Sequence, residues 1–166
     1  MASGETDPDL TGELPADPRE RVRALVERVV ETLDLEASVL IEESETEIRA
    51  TVDGDELDLL IGAQGETIDA LQYIASRAAF TDSGERKAIV IDAAGYRERR
   101  EIVLRQAAER AATEALTSGR PVELEPMSVP ERKIVHQYLA GRVDVETYSE
   151  GQEPGRRLVV TPSAPA

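Results

Sequence analysis

Apolar residues recur with two distinct periods along this chain, and the switches between them mark out its elements. Val22, Leu25, Val26, Val29, Val30 and Leu33 form a stripe of helical period. Asp17-Pro18-Arg19-Glu20 precedes it, offering a capping aspartate, a proline suited to the first helical position and a glutamate placed to complete a capping box. A helix is expected from Pro18. The period then changes to two. Ser38–Glu43 and Glu47–Val52 read as strands, with Ile48, Ala50 and Val52 alternating against Glu47, Arg49 and Thr51. Asp53-Gly54 should end the second. Leu59-Leu60-Ile61 is a short helical turn that runs into Gly62-Ala63-Gln64-Gly65, and Ile68, Leu71, Ile74, Ala75 and Ala78 restore the helical period to near Phe80. Asp82-Ser83-Gly84 reads as a turn and Arg86–Ile91 as a third strand.

The pattern restarts after Gly95 with a long arginine-rich helix, Tyr96–Thr117, whose apolar positions (Val103, Leu104, Ala107, Ala108, Ala111, Ala115) are mostly small. Glu101/Arg105, Arg105/Glu109 and Arg110/Glu114 have the spacing of ion pairs along it. Arg97, Arg99 and Arg100 read either as a solvated face or as a phosphate-contacting edge. Val122–Glu125 is a short strand candidate. Ser128-Val129-Pro130-Glu131 is a second capping box. It opens a helix on which Ile134, Val135, Tyr138 and Leu139 share the buried stripe, with Arg132 and His136 side by side and partly exposed at its edge. Val143–Tyr148 and Arg157–Thr161 read as paired strands around a Gly/Pro-containing loop.

Charge alters this picture less than its total suggests. The net charge is −15 over 166 residues, but residues 1–60 hold 5 Arg against 18 Asp and Glu, a net of −13. The rest carries only −2, so acidity need not surround a binding surface there. Lys87 and Lys133 are the only lysines. There is no Cys, which excludes disulfides and thiolate metal sites. The N-terminal stretch lacks the basic and apolar regions of a secretory signal, and no apolar run approaches the ~18 residues of a membrane span. A cytoplasmic protein without membrane insertion is the expectation. Residues 1–16, rich in Asp, Glu, Pro and Gly, are expected to be a disordered acidic tail, and residues 163–166 a loose tail.

Two places carry candidate chemistry. Glycines three apart between two helices allow a sharp turn with little side chain above it, leading into a helix start that presents N–H groups and a partial positive charge. Such a turn suits a sugar–phosphate backbone; equally, Gly62 can simply cap one helix and Gly65 ease entry into the next. His136 is the only histidine. It has no His or Cys companion for a metal and no nucleophile or paired carboxylate for general-base work, which leaves a packed, hydrogen-bonded role or contact with nucleic acid beside Arg132. No nucleotide-phosphate loop, metal cluster or nucleophile constellation is visible. No enzyme activity, metal or cofactor is expected.

The element order helix, strand, strand, helix, GxxG, helix, strand resembles a type II KH domain, a three-stranded sheet with helices. From Met127 to Pro162 the chain resembles the R-three-H domain, small helices on a short sheet, named for an Arg and a His separated by three residues, here Arg132 and His136. The capping box before that pair and V-E-T-Y-S-E-G-Q-E-P-G-R-R after it carry the match. A KH domain (18–94) followed by this module (95–162) resembles the Jag family of bacterial RNA-binding proteins, also called SpoIIIJ-associated or KhpB. The resemblance implies an α/β fold, no catalysis, and binding of single-stranded RNA, or single-stranded DNA, as a chaperone or post-transcriptional regulator. It also implies a small KhpA-like KH partner or a homodimer, and links to cell-envelope synthesis and cell length. The implied contact residues are Gly62, Ala63, Gln64 and Gly65 of the turn and Arg132, Lys133, His136, Arg156 and Arg157 of the second module. Family turns commonly hold basic residues at their two middle positions. Ala63 and Gln64, followed by Glu66, depart from this, so the turn is expected to bind weakly and the second module to supply most of the charge. The alternative is a protein-interaction scaffold whose KH turn has lost RNA affinity.

Overall fold

In the computed structural model, which describes residues 15–80 and 86–163, the chain divides into two α/β units, one ending at Gly95 and the other starting at Tyr96. Most of the expected N-terminal tail, the Asp82-Ser83-Gly84 turn and residues 164–166 lie outside the described residues.

The first unit runs α1 (Pro18–Thr32), β1 (Ala37–Glu43), β2 (Glu47–Gly54), α2 (Asp58–Ile61), a 3-10 turn (Ala63–Gly65), α3 (Glu66–Ala79) and β3 (Ala88–Ala93). Asp17 caps α1 by accepting from the Arg19 amide at 2.9 Å. Glu20 does not complete the expected capping box and lies 3.7 Å from Arg23 instead. β1 and β2 are antiparallel, and β2 and β3 are parallel. Parallel neighbours need a crossover, and α2, the turn and α3 form it. The Gly62–Gly65 turn is thus fixed at the hinge of a connection whose ends are both tied to the sheet. The register puts Ile48, Ala50 and Val52 beside Ile89, Ile91 and Ala93, and this face is buried with Val22, Val26 and Val30 of α1 and Ile68, Leu71, Ala75 and Ala79 of α3.

Three expectations for this unit are corrected. β2 does not stop at Asp53, because Asp53 and Gly54 pair with Ser38 and Ala37; a Cβ at Gly54 would stand 2.5 Å from the Glu36 carbonyl oxygen. β3 begins two residues later than expected, set by the pairing of Ala88 with Glu47. Ile74 is exposed, since the buried stripe of α3 passes through Leu71 and Ala75 and Ile74 lies about 100° round the helix from Ala75.

The second unit contains α4 (Tyr96–Ser118), β4 (Val122–Glu123), α5 (Val129–Leu139), β5 (Val145–Glu150) and β6 (Arg157–Pro162), with the sheet order β4-β6-β5 and both pairings antiparallel. Its core joins Leu104, Ala108, Ala111, Ala112 and Ala115 of α4 to Val135 and Leu139 of α5 and to Val145, Leu158 and Val160 of the sheet. Small residues on α4 allow close approach to α5 and β6. Ala112 belongs to this stripe, whereas Val103 is exposed. Tyr138 is likewise more exposed than expected and sits under Arg105, with the guanidinium carbon 5.5 Å from the ring centroid. Of the expected pairs on α4, Glu101–Arg105 forms at 2.5 Å, while Glu109 turns to Arg142 at 2.8 Å. β5 starts at Val145, not Val143. Arg142 grips Asp144 at 2.7 Å, which holds this corner out of the sheet and leaves Val143 in solvent. That guanidinium also holds the Asp144 carboxyl below its usual range, mainly by hydrogen bonding. Ser163, placed in the loose tail by the sequence, donates its amide to the Asp144 carbonyl at 2.9 Å.

Candidate nucleic-acid interface

The glycine turn is built by left-handed backbone. Gly62 (φ 74°), Gln64 (φ 54°) and Gly65 (φ 84°) all have positive φ. Glycine at 62 is a steric requirement as well as a conformational one. A Cβ there would lie 2.2 Å from the Thr67 hydroxyl. The Gly62 amide closes α2 on the Asp58 carbonyl at 2.8 Å, and Leu60 anchors that helix in the core. Gly65 is buried and is the N-cap of α3, so no side-chain oxygen caps the leading amides of this helix. Ala63 and Gln64 point into solvent. The turn therefore offers backbone and a helix dipole to an anion, with Glu66 opposing them.

The second place is a cleft of about 440 Å³ between α5 and β5. α5 contributes Val129, Arg132, Lys133 and His136; β5 contributes Thr147, Tyr148 and Ser149; Arg156 comes from the end of the β5–β6 loop and Leu158 from β6. α5 is positioned at its start by Glu131, whose carboxylate accepts from the Ser128 amide at 3.0 Å and from Arg100 at 2.6 Å. His136 Nδ1 meets Thr147 Oγ1 at 2.5 Å, tying the exposed imidazole to the strand across the cleft. Thr147 and Ser149 pair with Val160 and Leu158, so their side chains share the face that α5 covers. Val129, Thr147 and Ser149 are absent from the residues expected at the site. The alternation in V-E-T-Y-S-E was the available signal, readable only once the α5-facing side was known.

The cations expected to act together are in different states. Lys133 is exposed and, among the described residues, has no ion-pair partner. The Arg156 guanidinium donates to the Gly151 carbonyl at 3.0 Å and has no ion-pair partner among the described residues. Arg132 departs from expectation: it is buried, not partly exposed beside His136. Its guanidinium donates to the Met127 carbonyl at 2.6 Å and to Glu153 at 2.5 Å. Met127 precedes α5 and Glu153 lies between β5 and β6, so the guanidinium bridges two separate segments. Arg157 stands apart from the others. It pairs with Glu123 on β4 at 2.6 Å and does not line the cleft. The structure thus brings together Lys133, His136 and Arg156, with Arg132 behind them, and places Arg157 elsewhere. No group of three or more carboxylates and histidines capable of holding a metal occurs among the described residues. No helix among them is long and apolar enough to cross a membrane.

Comparison with known proteins follows these two units. Residues 19–91 match the KhpA/KhpB KH domain, and residues 102–162 match the R-three-H domain. The RNA-binding protein KhpB of Bacillus subtilis is 32% identical over 147 residues, covering 87% of this chain and 71% of that protein. KhpB of Clostridium symbiosum is 33% identical over 138 residues, covering 82% of this chain and 62% of that protein. KhpB of Lactiplantibacillus plantarum is 37% identical over 142 residues, with 84% and 44% coverage. A chain that joins a KH unit to an R-three-H unit and matches such relatives through both belongs to the KhpB family.

Proposed function

We propose that this chain is a non-catalytic, single-stranded RNA-binding protein whose α5–β5 cleft provides the charged contacts and whose Gly62–Gly65 turn provides a neutral backbone seat. The observation that carries this reading is the cleft itself. Lys133 and Arg156 face it without a carboxylate partner among the described residues, whereas Arg100, Arg132, Arg142 and Arg157 are engaged in ion pairs. His136 and the Thr147 and Ser149 hydroxyls add hydrogen-bonding groups to the same wall. Such a mixture suits a flexible, unstacked strand, whose phosphates and bases are both reachable, better than a duplex. The family's naming as RNA-binding supports the choice of RNA.

Within that reading the chain acts as an RNA chaperone or post-transcriptional regulator in the cytoplasm, with the cell-envelope and cell-length links of its family. The match of residues 19–91 to a KH domain shared by KhpA and KhpB supports a small KH protein as partner, with a homodimer as the other form of the same association. Crosslinking in cells followed by recovery of bound RNA tests the function. Recovery of transcripts from the wild type, reduced in a Lys133→Gln/Arg156→Gln variant of equal abundance, is expected. Recovery no greater than from an uncrosslinked control would sink the reading.

A scaffold function is the second reading, favoured by one observation. The KH unit exposes Leu59, Tyr73 and Ile74 at 65%, 62% and 52%, on the two helices that flank a turn with no basic side chain. Sedimentation with and without a small KH protein separates the two, because a scaffold retains its partner while ignoring RNA.

A further inference from the structure

Arg132 gives its name to the second module's signature, yet it is poorly placed to touch a ligand. Its side chain is only 9% exposed and its two terminal nitrogens are engaged by the Met127 carbonyl and the Glu153 carboxylate. Met127 lies just before α5 and its capping Ser128. Glu153 belongs to the β5–β6 loop, residues 151–156, which ends in the cleft-lining Arg156. The same guanidinium therefore fastens the start of one cleft wall to the loop that delivers a cation to the other. Arg156 folds back onto that loop through the Gly151 carbonyl. Arg132 and Glu153 also cancel each other's charge, leaving little net field for a phosphate.

We propose that Arg132 is a positioning residue, acting through Glu153 to hold the β5–β6 loop so that Arg156 faces Lys133 and His136, and that it does not itself contact RNA. This rests on the RNA-binding reading above. A planar fork is suited to the task, because two fixed N–H directions reach two acceptors at once, which an ammonium does less well.

The two roles make opposite predictions for Glu153→Gln. If Arg132 contacted phosphate, neutralising Glu153 would release its guanidinium, remove a nearby negative charge and tighten binding. If Arg132 positions the loop, the same change weakens binding although it makes the protein less negative. The test is fluorescence anisotropy of a short labelled oligouridylate with the full chain and with Glu153→Gln, Arg132→Gln and the double variant, each checked for folding by thermal melting. Amide hydrogen exchange over residues 151–157 without RNA is the readout of loop order. Each single variant is expected to weaken binding about tenfold, with the double no weaker than either, as for two groups acting as one unit. Exchange over 151–157 should quicken in both. Arg132→Lys should remain weak; restoration by lysine would assign Arg132 a point-charge contact and overturn the proposal. Glu153 is 54% exposed, so its variant keeps the test decisive even if Arg132→Gln does not fold. Unchanged or tighter binding by Glu153→Gln, with the wild type binding normally, would overturn the positioning role alone. Failure of the wild type to bind at low salt would overturn the RNA-binding reading and this proposal with it.

Discussion

Removing the two cleft cations should change the salt dependence of RNA binding by an amount the structure sets in advance. Lys133 and Arg156 are the cleft's cations without an acidic partner among the described residues, while Arg132 is matched by Glu153. Each phosphate neutralised on a single strand contributes about 0.7 to the slope of log affinity against log salt, so the pair accounts for about 1.4. Over a fourfold rise in salt this is roughly a sevenfold loss of affinity, against about 2.6-fold for one contact. Lys133→Gln should lower the slope by about 0.7, and Lys133→Gln/Arg156→Gln by about 1.4. Arg142→Gln is the control. It removes the same charge, but from a network with Glu109 and Asp144 away from the cleft. Anisotropy titrations of a labelled oligouridylate across a potassium chloride series measure all three slopes. The reasoning fails if the double variant keeps the wild-type slope, or if Arg142→Gln lowers it equally, since long-range charge would then be the whole effect.

Three further outcomes concern the glycine turn. Gly62→Ala should destabilise the first unit by about 1–3 kcal/mol in denaturant unfolding, through the positive φ and the clash with Thr67; an unchanged midpoint would mean that the turn is not constrained as described. Gln64→Gly should stabilise by roughly 0.5–1 kcal/mol, because Gln64 is exposed and bears the left-handed cost without a buried contact; a loss of stability in the same assay would show that the side chain has a hidden role. Ala63→Arg/Gln64→Arg should tighten oligouridylate binding and raise its salt slope by up to about 1.4, one increment for each new contact; no change in either would remove the turn from the interface.

The first unit was legible because each signal there is local. Asp17-Pro18 starts α1, Ile48, Ala50 and Val52 alternate on β2, and the paired glycines punctuate the crossover. Errors arose where an element's limit depends on a distant partner. β2 reaches Gly54 only because Ala37 lies beside it, and β5 starts late because Arg142 and Asp144 occupy the corner. The candidate site shows the same division. Lys133, His136 and Arg156 were readable as polar groups of one module. The burial of Arg132 was not, because it depends on Glu153, 21 residues away in sequence and across a loop. A helical wheel places Arg132 next to the stripe of Val135 and Leu139, but burial of a charge requires a paired acceptor, and periodicity contains no information about one.

An acidic chain that binds a polyanion needs its excess charge to be either distant or already matched. Most of the excess lies outside the second unit's sequence, residues 1–60 holding −13 of the −15. Matching serves in the second unit, where Arg100, Arg142 and Arg157 each meet a carboxylate at 2.6–2.8 Å. These pairs build the module but offer little to a phosphate, so counting arginines overstates the attraction. What remains in the cleft for electrostatic contact is, among the described residues, local and small: a lysine without an ion pair, an arginine whose guanidinium donates to a carbonyl, and a histidine held by Thr147. On the proposed reading, few charged contacts imply a shallow salt slope, and hence affinity drawn in larger part from hydrogen bonds to the strand. On that reading, a neutral turn and a sparsely charged cleft follow one logic, in which indiscriminate attraction to nucleic acid is kept low.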